Sequence, residues 1–249
     1  MSVGLLFDST RCIGCGACSA GCKEANELPL PIEERTTAYT WTTVENRNGV
    51  NVRRLCMHCQ DPACVSVCPV GAMQKTELGP VVYDSSLCIG CRYCIVACPF
   101  GVPKYQWDRP IPIVGKCILC HSRVREGQPT ACAAVCPTGA TLSGERDALV
   151  TEARRRLVEN PKGYVDHILG LEEVGGTSVL MLSSVPFAEL GFSAKLPKQP
   201  LPLLTWQVLS KIPDLALVAG VSLLGIHWIT KRRADVAAAE HELDRGGRR

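Results

Sequence analysis

The chain has 249 residues, of which 16 are cysteine, 46% are hydrophobic and only 5% are aromatic, and its formal net charge is +3. Disordered chains combine low hydrophobicity with high net charge, and nucleic-acid-binding proteins usually carry a strong basic excess, so the composition argues against both classes. The length allows one or two domains. Because few aromatic side chains are available to fill a carbon core, the cysteines are the candidates for holding the fold together.

Short strands are expected on either side of the cysteine-rich segments. Residues 3–7 form an apolar run typical of an edge strand. Residues 38–45 and 50–54 predict the two strands of a β-hairpin that turns at Asn48 and Gly49. Three more short strands are predicted, at residues 80–83, 140–142 and 177–182.

A helix and a linker are expected after the last cysteine. Residues 145–159 predict a helix with a modest apolar face, and its arginines Arg154, Arg155 and Arg156 are expected to lie largely on the solvated face. Residues 196–203 contain three prolines and predict an extended linker.

The cysteines fall into four sets of four that repeat one spacing. The third set, Cys88 to Cys98 followed by Pro99, has the bacterial ferredoxin spacing C-x2-C-x2-C-x3-C-P. The first set differs only by Lys23 in the proline position, and the second and fourth sets have longer loops between their second and third cysteines. In chain order the sets are Cys12, Cys15, Cys18 and Cys22; Cys56, Cys59, Cys64 and Cys68; Cys88, Cys91, Cys94 and Cys98; and Cys117, Cys120, Cys132 and Cys136.

This spacing suits a cubane 4Fe–4S cluster, whose four iron corners each need one thiolate. A C-x2-C-x2-C loop reaches three corners, and the fourth cysteine, usually before proline, serves the neighbouring cluster. The alternatives are structural zinc and disulfides, but neither explains a third cysteine two residues on, nor the Cys-Pro pair. We therefore expect four 4Fe–4S clusters. The spacing alone permits the first set to pair with either the second or the fourth.

Several polar residues lie beside the expected ligands. Lys23, Arg92, Lys116 and His121 could raise the reduction potential of a nearby cluster, or could simply be solvated. His58 is expected to be a surface loop residue. No G-x-G-x-x-G loop precedes a helix, so nicotinamide or flavin binding is not expected.

Residues 212–230 form an apolar stretch near the end of the sequence. It contains one acid, Asp214, and is followed at once by Lys231, Arg232 and Arg233. A membrane span needs about 18–20 apolar residues, so a single transmembrane helix is predicted, with a buried core helix as the alternative. The proline-rich segment before it and the basic cluster after it favour the membrane.

His227 lies inside this predicted span. An ionisable group within a membrane is costly and is a functional hypothesis by default. It could face a haem propionate, a quinone pocket or a partner helix. Because it is close to the basic end, snorkelling toward the membrane surface is the competing interpretation.

The basic cluster after the span marks the cytoplasmic end by the positive-inside rule, which would place the cysteine-rich part outside the cytoplasm. Residues 1–12 lack the basic and apolar regions of a signal peptide. We therefore expect the folded protein to be exported together with a partner that carries the signal. A cytoplasmic cluster domain is the alternative.

The four cysteine sets and the C-terminal apolar span resemble the iron–sulfur subunits of membrane-bound respiratory complexes. This family includes the beta subunit of formate dehydrogenase and the ferredoxin-type subunit of hydrogenase-2-type complexes. The loop at residues 120–132 and His227 look like formate dehydrogenase, whereas residues 175–192 look like hydrogenase-associated subunits. The resemblance narrowly favours formate dehydrogenase and next a nickel–iron hydrogenase.

The resemblance also implies a role and its partners. The protein would be an electron-transfer subunit with no substrate site of its own. Electrons would pass between a catalytic subunit, with a molybdenum or tungsten pterin or a nickel–iron centre, and a quinone-reactive or cytochrome b subunit in the membrane. The alternatives are another molybdopterin oxidoreductase as the partner, or a soluble polyferredoxin carrier. No nucleic acid is expected.

With the two-cluster rule, the resemblance implies that the first set pairs with the fourth and the second with the third. Each fourth cysteine is then exchanged between neighbouring clusters. The four expected ligand groups are Cys12, Cys15, Cys18 and Cys136; Cys22, Cys117, Cys120 and Cys132; Cys56, Cys59, Cys64 and Cys98; and Cys68, Cys88, Cys91 and Cys94.

The expected fold is α+β, with two ferredoxin-like two-cluster units in one cluster domain, an inserted β-hairpin and a C-terminal transmembrane helix. The predicted boundaries are residues 1–145 for the cluster domain, 146–195 for a helix and strand extension, 196–211 for the proline-rich linker, 212–230 for the transmembrane helix and 231–249 for a basic, then polar, tail.

Overall fold

The computed structural model describes residues 2–246, with side chains as far as residue 240, and contains nine strands and eight α-helices in that part of the chain. One compact unit ends at Pro202 and a second begins at Leu203. The strands are β1 (Val3–Asp8), β2 (Thr43–Arg47), β3 (Val50–Arg54), β4 (Met73–Lys75), β5 (Val81–Tyr83), β6 (Lys104–Tyr105), β7 (Val114–Gly115), β8 (Thr141–Glu145) and β9 (Val179–Leu182). The helices are α1 (Ala17–Ala25), α2 (Ala63–Ser66), α3 (Tyr93–Ala97), α4 (His121–Arg125), α5 (Ala131–Ala134), α6 (Arg146–Glu159), α7 (Leu201–Leu209) and α8 (Ile212–Gly246).

The central sheet has three strands in the order β8-β1-β9. β1 pairs antiparallel with β8 and parallel with β9, so it lies in the middle of the sheet. The prediction that it is an edge strand was wrong. Leu6 packs against α6 on one face, while Leu5 and Phe7 enter the main core on the other. A continuous apolar run is typical of a strand covered on both faces, which explains why β1 lacks an alternating pattern.

Three two-stranded antiparallel hairpins accompany this sheet: β2–β3, β4–β5 and β6–β7. The first turns at Asn48 and Gly49, whose φ angles are 52° and 82°. Positive φ at both central residues is the geometry of the type I′ turn, which Asn-Gly favours. Its first strand begins at Thr43, five residues later than the residue 38 predicted from β-propensity.

The short helices that follow the cysteine loops pack in two pairs. α1, which follows the first cysteine loop, contacts α5 of the fourth set, and α2 of the second set contacts α3 of the third. Gly21 permits the close approach of the first pair, because a Cβ there would lie 2.9 Å from Cγ2 of Val135. The first of these pairs, α1 with α5, joins segments that are more than a hundred residues apart in the sequence.

α6 covers the central sheet through Leu149 and Ala153. Its arginines are not all solvated, which corrects the sequence expectation: the Arg156 side chain is only 4% exposed and its Nη1 lies 2.8 Å from Oδ2 of the fully buried Asp8. The Tyr164 hydroxyl donates to the same carboxylate oxygen at 2.8 Å. A cation on the core side of a helix is tolerated because it is paired and hydrogen-bonded.

Replacing Arg156 with methionine is expected to destabilise the fold by about 3 kcal/mol, the lower end of the cost of breaking a buried ion pair. Among the described side chains, Asp8 would keep only the half-exposed Arg11, 3.6 Å away, as a counter-charge. The matched control is Arg155→Met, one residue away but half-exposed, for which almost no shift of the unfolding midpoint is expected, because exposed ion pairs contribute little. Urea unfolding followed by circular dichroism measures both, and equal shifts in the two midpoints would contradict the assignment.

Apart from a turn at Ser210 and Lys211, the described part of the second unit is helical. α7 begins at Leu201, inside the segment predicted to be an extended linker, because Pro202 falls in the first turn, where its missing N–H breaks no helical hydrogen bond. α8 follows after Ser210 and Lys211. The helical stretch Leu201–Glu240 is long and apolar enough to cross a membrane, with a mean hydropathy of 1.7 in a window that is entirely unburied.

Candidate functional site

All sixteen cysteines lie in the described part of the first unit as free thiols. They gather in four groups, which we call sites A to D. Three groups, at sites A, B and D, each line a small hollow. At site C, Cys56, Cys98 and Cys64 are close enough to Cys59 to raise its pKa, after the larger effect of burial. The members are Cys12, Cys15, Cys18 and Cys136 at site A; Cys22, Cys117, Cys120 and Cys132 at site B; Cys56, Cys59, Cys64 and Cys98 at site C; and Cys68, Cys88, Cys91 and Cys94 at site D.

The four sites follow one another in series. Cys18 of site A lies close enough to influence Cys22 of site B electrostatically. Cys56 of site C acts in the same way on Cys117 of site B. Cys94 of site D acts on Cys64 of site C. The neighbour relations therefore give the order A, B, C, D, in which A and D are the two ends.

One backbone conformation recurs in every set. The residue two positions after the first cysteine has a positive φ in all four: 74° at Gly14, 49° at His58, 72° at Gly90 and 54° at Leu119. In the third and fourth sets the N–H of this residue donates to the sulfur of the first cysteine at 3.4 Å. The left-handed conformation thus turns a backbone donor toward sulfur. Only the two glycines carry a sequence signal for it.

Burial raises the pKa of eight of the sixteen thiols and makes them hard to ionise. Burial and then the charges of neighbouring cysteines raise the pKa of Cys22 to about 12 and that of Cys94 to about 11. The pKa of Cys117, which is fully buried, is raised well above its ordinary value for the same first reason. A metal ligand must be a thiolate. These groups therefore require a positively charged partner in the hollow to hold them in that form.

Two thiols differ, and both precede proline. Burial raises the pKa of Cys68, but backbone N–H groups, with that of Met73 foremost, bring it below its ordinary value. At Cys136 the raising effect of burial is likewise outweighed by hydrogen bonds, of which the backbone N–H of Thr141 gives the largest lowering. The loop after each Cys-Pro therefore supplies donors to a thiolate.

The donor set fits iron–sulfur cubanes. Four thiols surround each hollow, as four iron corners require, and backbone N–H groups point at sulfur. Among the described side chains, no three from histidine, cysteine, aspartate or glutamate converge as they would around a single metal ion. Structural zinc would need four such donors around one ion.

Three polar residues that flank the cysteines are buried rather than solvated. The Lys23 ammonium donates to the carbonyl of Tyr39 at 3.0 Å. The Lys116 ammonium donates to the carbonyl of Cys117 at 2.9 Å. His58, expected on the surface, is 1% exposed, and its Nδ1 accepts the N–H of Val81 at 2.9 Å. Lysine is long enough to reach backbone carbonyls across a cluster loop, which residue type alone does not reveal.

The burial of His58 has an electrostatic consequence. Burial, then the positive charges of Lys116 and Lys75, hold the pKa of His58 well below its usual range. The ring is therefore neutral, with its proton on Nε2, because Nδ1 accepts a hydrogen bond. Arg92, in contrast, is exposed and stacks over Tyr105 and Trp107 at 5.8 and 5.2 Å from the ring centroids.

Arg53 on β3 was missed by sequence reasoning. Its side chain is among the most buried in the molecule, 1% exposed, and it lines the hollow of site B. Its Nε lies 2.9 Å from Oγ1 of Thr42 and its Nη1 lies 3.2 Å from Oγ1 of Thr141. Although burial lowers it, the charges of Cys132 and Cys18 bring the pKa of Arg53 above its ordinary value. Nothing in the segment Val-Asn-Val-Arg-Arg distinguishes Arg53 from Arg54.

His227 lies in α8, in the second unit, with an exposed side chain. Its carbonyl accepts a hydrogen bond from the hydroxyl of Thr230 at 2.9 Å. Among the described residues, no side chain is hydrogen-bonded to its imidazole ring.

Comparison with known proteins identifies related sequences. Residues 49–146 match the model of the 4Fe–4S dicluster domain family, and residues 9–25 match that of a 4Fe–4S binding domain. The sequence is 36% identical to the hydrogenase-2 operon protein HybA of Escherichia coli O157:H7, over 76% of this chain and 72% of that protein.

Two other relatives have different names. The formate dehydrogenase iron–sulfur subunit of Haemophilus influenzae is 32% identical over 98% of this chain and 86% of its own length. YnfG of Escherichia coli K12, named as part of a probable anaerobic dimethyl sulfoxide reductase, is 40% identical over 59% of this chain and 75% of its own length.

Proposed function

Because this protein belongs to the family of iron–sulfur subunits of respiratory oxidoreductase complexes, we propose that it carries four 4Fe–4S clusters and conducts electrons between a catalytic subunit and a quinone-reactive membrane subunit. It is an electron-transfer subunit of the kind found in hydrogenase, formate dehydrogenase and dimethyl sulfoxide reductase complexes. The observation that carries the finer proposal is the gathering of sixteen cysteines into four groups of four that follow one another in series.

We assign the four cysteines of each of sites A, B, C and D as the ligands of one cluster. This assignment keeps the exchange of fourth cysteines that two-cluster ferredoxins use, because Cys22 then belongs to site B and Cys68 to site D. It also gives each cluster a shared boundary with the next: Cys18 beside Cys22, Cys117 beside Cys56, and Cys64 beside Cys94. Electrons would enter at one end of this series and leave at the other.

A bound 4Fe–4S cluster takes up and releases one electron without a change in its ligands. The protein's own residues create the conditions for this exchange. Burial of the thiols excludes water, and backbone N–H groups such as those of Gly90 and Leu119 donate to sulfur. The buried ammonium of Lys116 adds positive charge next to Cys64. No substrate-binding role is proposed, and the chemistry at the substrate belongs to the partner.

The catalytic partner that we favour is a formate dehydrogenase with a molybdenum or tungsten pterin. The formate dehydrogenase relative supports this choice because it aligns with nearly the whole sequence. A nickel–iron hydrogenase is the second candidate, favoured by the higher identity of HybA over a shorter alignment.

We propose that Leu201–Glu240 crosses the cytoplasmic membrane once and anchors the protein next to a cytochrome b or another quinone-reactive subunit. Lys231, Arg232 and Arg233 follow the apolar stretch and favour a cytoplasmic C-terminal end by the positive-inside rule. The cysteine-rich unit would then lie outside the cytoplasm, exported with a signal-bearing partner. An anchor distinguishes this proposal from a soluble polyferredoxin, since a diffusing carrier has no use for one.

Anaerobic metal analysis of the complex that co-purifies with this protein from native membranes tests the proposal. We expect about 16 Fe per copy in addition to the iron of the partner, since four cubanes hold four Fe each. Zinc in place of iron, or iron for fewer clusters, would overturn the four-cluster assignment. In the same sample, molybdenum or tungsten would support the formate dehydrogenase partner, whereas nickel would replace it with a hydrogenase.

A further inference from the structure

Arg53 occupies the boundary between two of the cysteine sites. Its side chain lines the hollow of site B together with that site's four cysteines. Its Nη1 donates to Oγ1 of Thr141, and Thr141 lines the hollow of site A. Val44, the residue opposite Arg53 across the β2–β3 hairpin, lines the hollow of site A as well. One fully buried guanidinium thus lines site B and contacts, through Thr141, the lining of site A.

The hairpin holds this cation in a fixed position. Thr42 accepts from Nε of Arg53 at 2.9 Å and Thr141 accepts from Nη1 at 3.2 Å, and neither hydroxyl carries a compensating negative charge. None of the described salt bridges includes Arg53. A buried charge without a charged partner is costly. The negative charge that would balance this one is therefore the thiolate groups of the two sites.

The neighbouring Arg54 provides a comparison within the same strand. Its guanidinium points the other way, lies 4.3 Å from the ring centroid of Phe192 and is paired with Glu45 at 3.4 Å. Alternation along a strand places successive side chains on opposite faces. Two adjacent arginines therefore carry the same charge, but only one of them faces the cysteines.

We propose that Arg53 is the residue that sets the reduction potentials at sites A and B, by holding between them one buried positive charge that takes part in none of the described salt bridges. This inference rests on the proposed function, since it requires clusters at both sites. Uptake of an electron makes a cluster more negative, and a fixed cation in a low-dielectric interior stabilises that reduced form. Arg53 therefore favours reduction at both sites.

The test is redox potentiometry followed by electron paramagnetic resonance on the anaerobically purified complex. In Arg53→Gln, the equilibrium constant for reduction is expected to fall at least tenfold at site A and at site B, which corresponds to about 59 mV for one electron at each. The matched control Arg54→Gln removes the same charge from the other face and is expected to leave these potentials unchanged. Arg53→Lys keeps the positive charge, so its reduction potentials are expected to stay close to those of the unmodified protein.

Each result decides the matter. Full iron content with unchanged potentials in Arg53→Gln would overturn the proposal, as would an equal shift in Arg54→Gln. If Arg53→Gln loses iron, the potentials of Arg53→Lys are compared with those of the unmodified protein instead. Retained iron with nearly unchanged potentials would support the role of the charge. Loss of iron in Arg53→Lys as well would show that the site depends on the shape of the arginine side chain, and would overturn the proposal. An unmodified sample with fewer than about 16 Fe would instead contradict the proposed function itself.

Discussion

Replacing Cys117 with alanine is expected to stop electron transfer from the catalytic subunit to quinone and to remove about four Fe per copy of the protein. Cys117 is fully buried at site B and adjoins Cys56 of site C, so its loss interrupts the middle of the series. Oxidation of substrate with an artificial dye at the catalytic subunit is expected to persist. Quinone reduction and dye reduction, measured on the same membranes, separate the two effects.

The same experiment tests the exchange of cysteines between sets. Cys22→Ala is expected to remove the same electron paramagnetic resonance signal as Cys117→Ala, although the two cysteines are far apart in sequence. Cys18→Ala, four residues before Cys22 on α1, is expected to remove a different signal. Ser19→Ala is the control, because Ser19 is buried in the same helix and leaves every cysteine in place. Loss of one shared signal in Cys18→Ala and Cys22→Ala would show that the first set serves a single cluster.

Truncation after Pro200 is expected to release the protein and its catalytic partner from the membrane and to abolish quinone reduction. The removed part includes the whole apolar stretch Leu201–Glu240. The described part of the first unit keeps all sixteen cysteines, so its iron content and dye reduction are expected to be retained. Fractionation of cell extracts and iron analysis measure both outcomes, and a control truncation after Glu240 is expected to stay in the membrane fraction. If the protein truncated after Pro200 stayed in the membrane fraction, the proposed role of Leu201–Glu240 as a membrane anchor would be contradicted.

His227→Leu separates anchoring from a specific site in the same span. The substitution keeps the helix apolar, so membrane attachment is expected to be unchanged. A functional role at a quinone or haem edge predicts a lower rate of quinone reduction with normal dye reduction. An unchanged rate would mean that His227 only extends its side chain toward the membrane surface and has no functional role in quinone reduction.

The sequence alone determined the chemistry and the relatives of this protein. Four repeats of the cysteine spacing, local in the sequence, indicated iron–sulfur ligation, and the resemblance to respiratory iron–sulfur subunits was confirmed by HybA and the formate dehydrogenase subunit. The apolar segment near the C-terminal end was equally visible, because helix length and hydropathy are properties of consecutive residues. The ligand groups at sites A to D stay a prediction until cysteine variants are measured.

Tertiary structure decided what depends on distant neighbours. β1 has the apolar pattern of a strand, but its central place follows from partners more than 130 residues away. Arg156 is buried because it forms an ion pair with Asp8, and Lys116 is buried because its ammonium donates to the backbone carbonyl of Val81. Both partners lie far away in the sequence, so residue type alone does not predict this burial. Arg53 and Arg54 are the clearest case. Both are arginines and they are neighbours in the sequence, but only Arg53 faces the cysteines, because the β2–β3 hairpin packs against the cysteine loops on that side. Local spacing can specify a cluster ligand, whereas the charge around that ligand is set by contacts that form only when the protein folds.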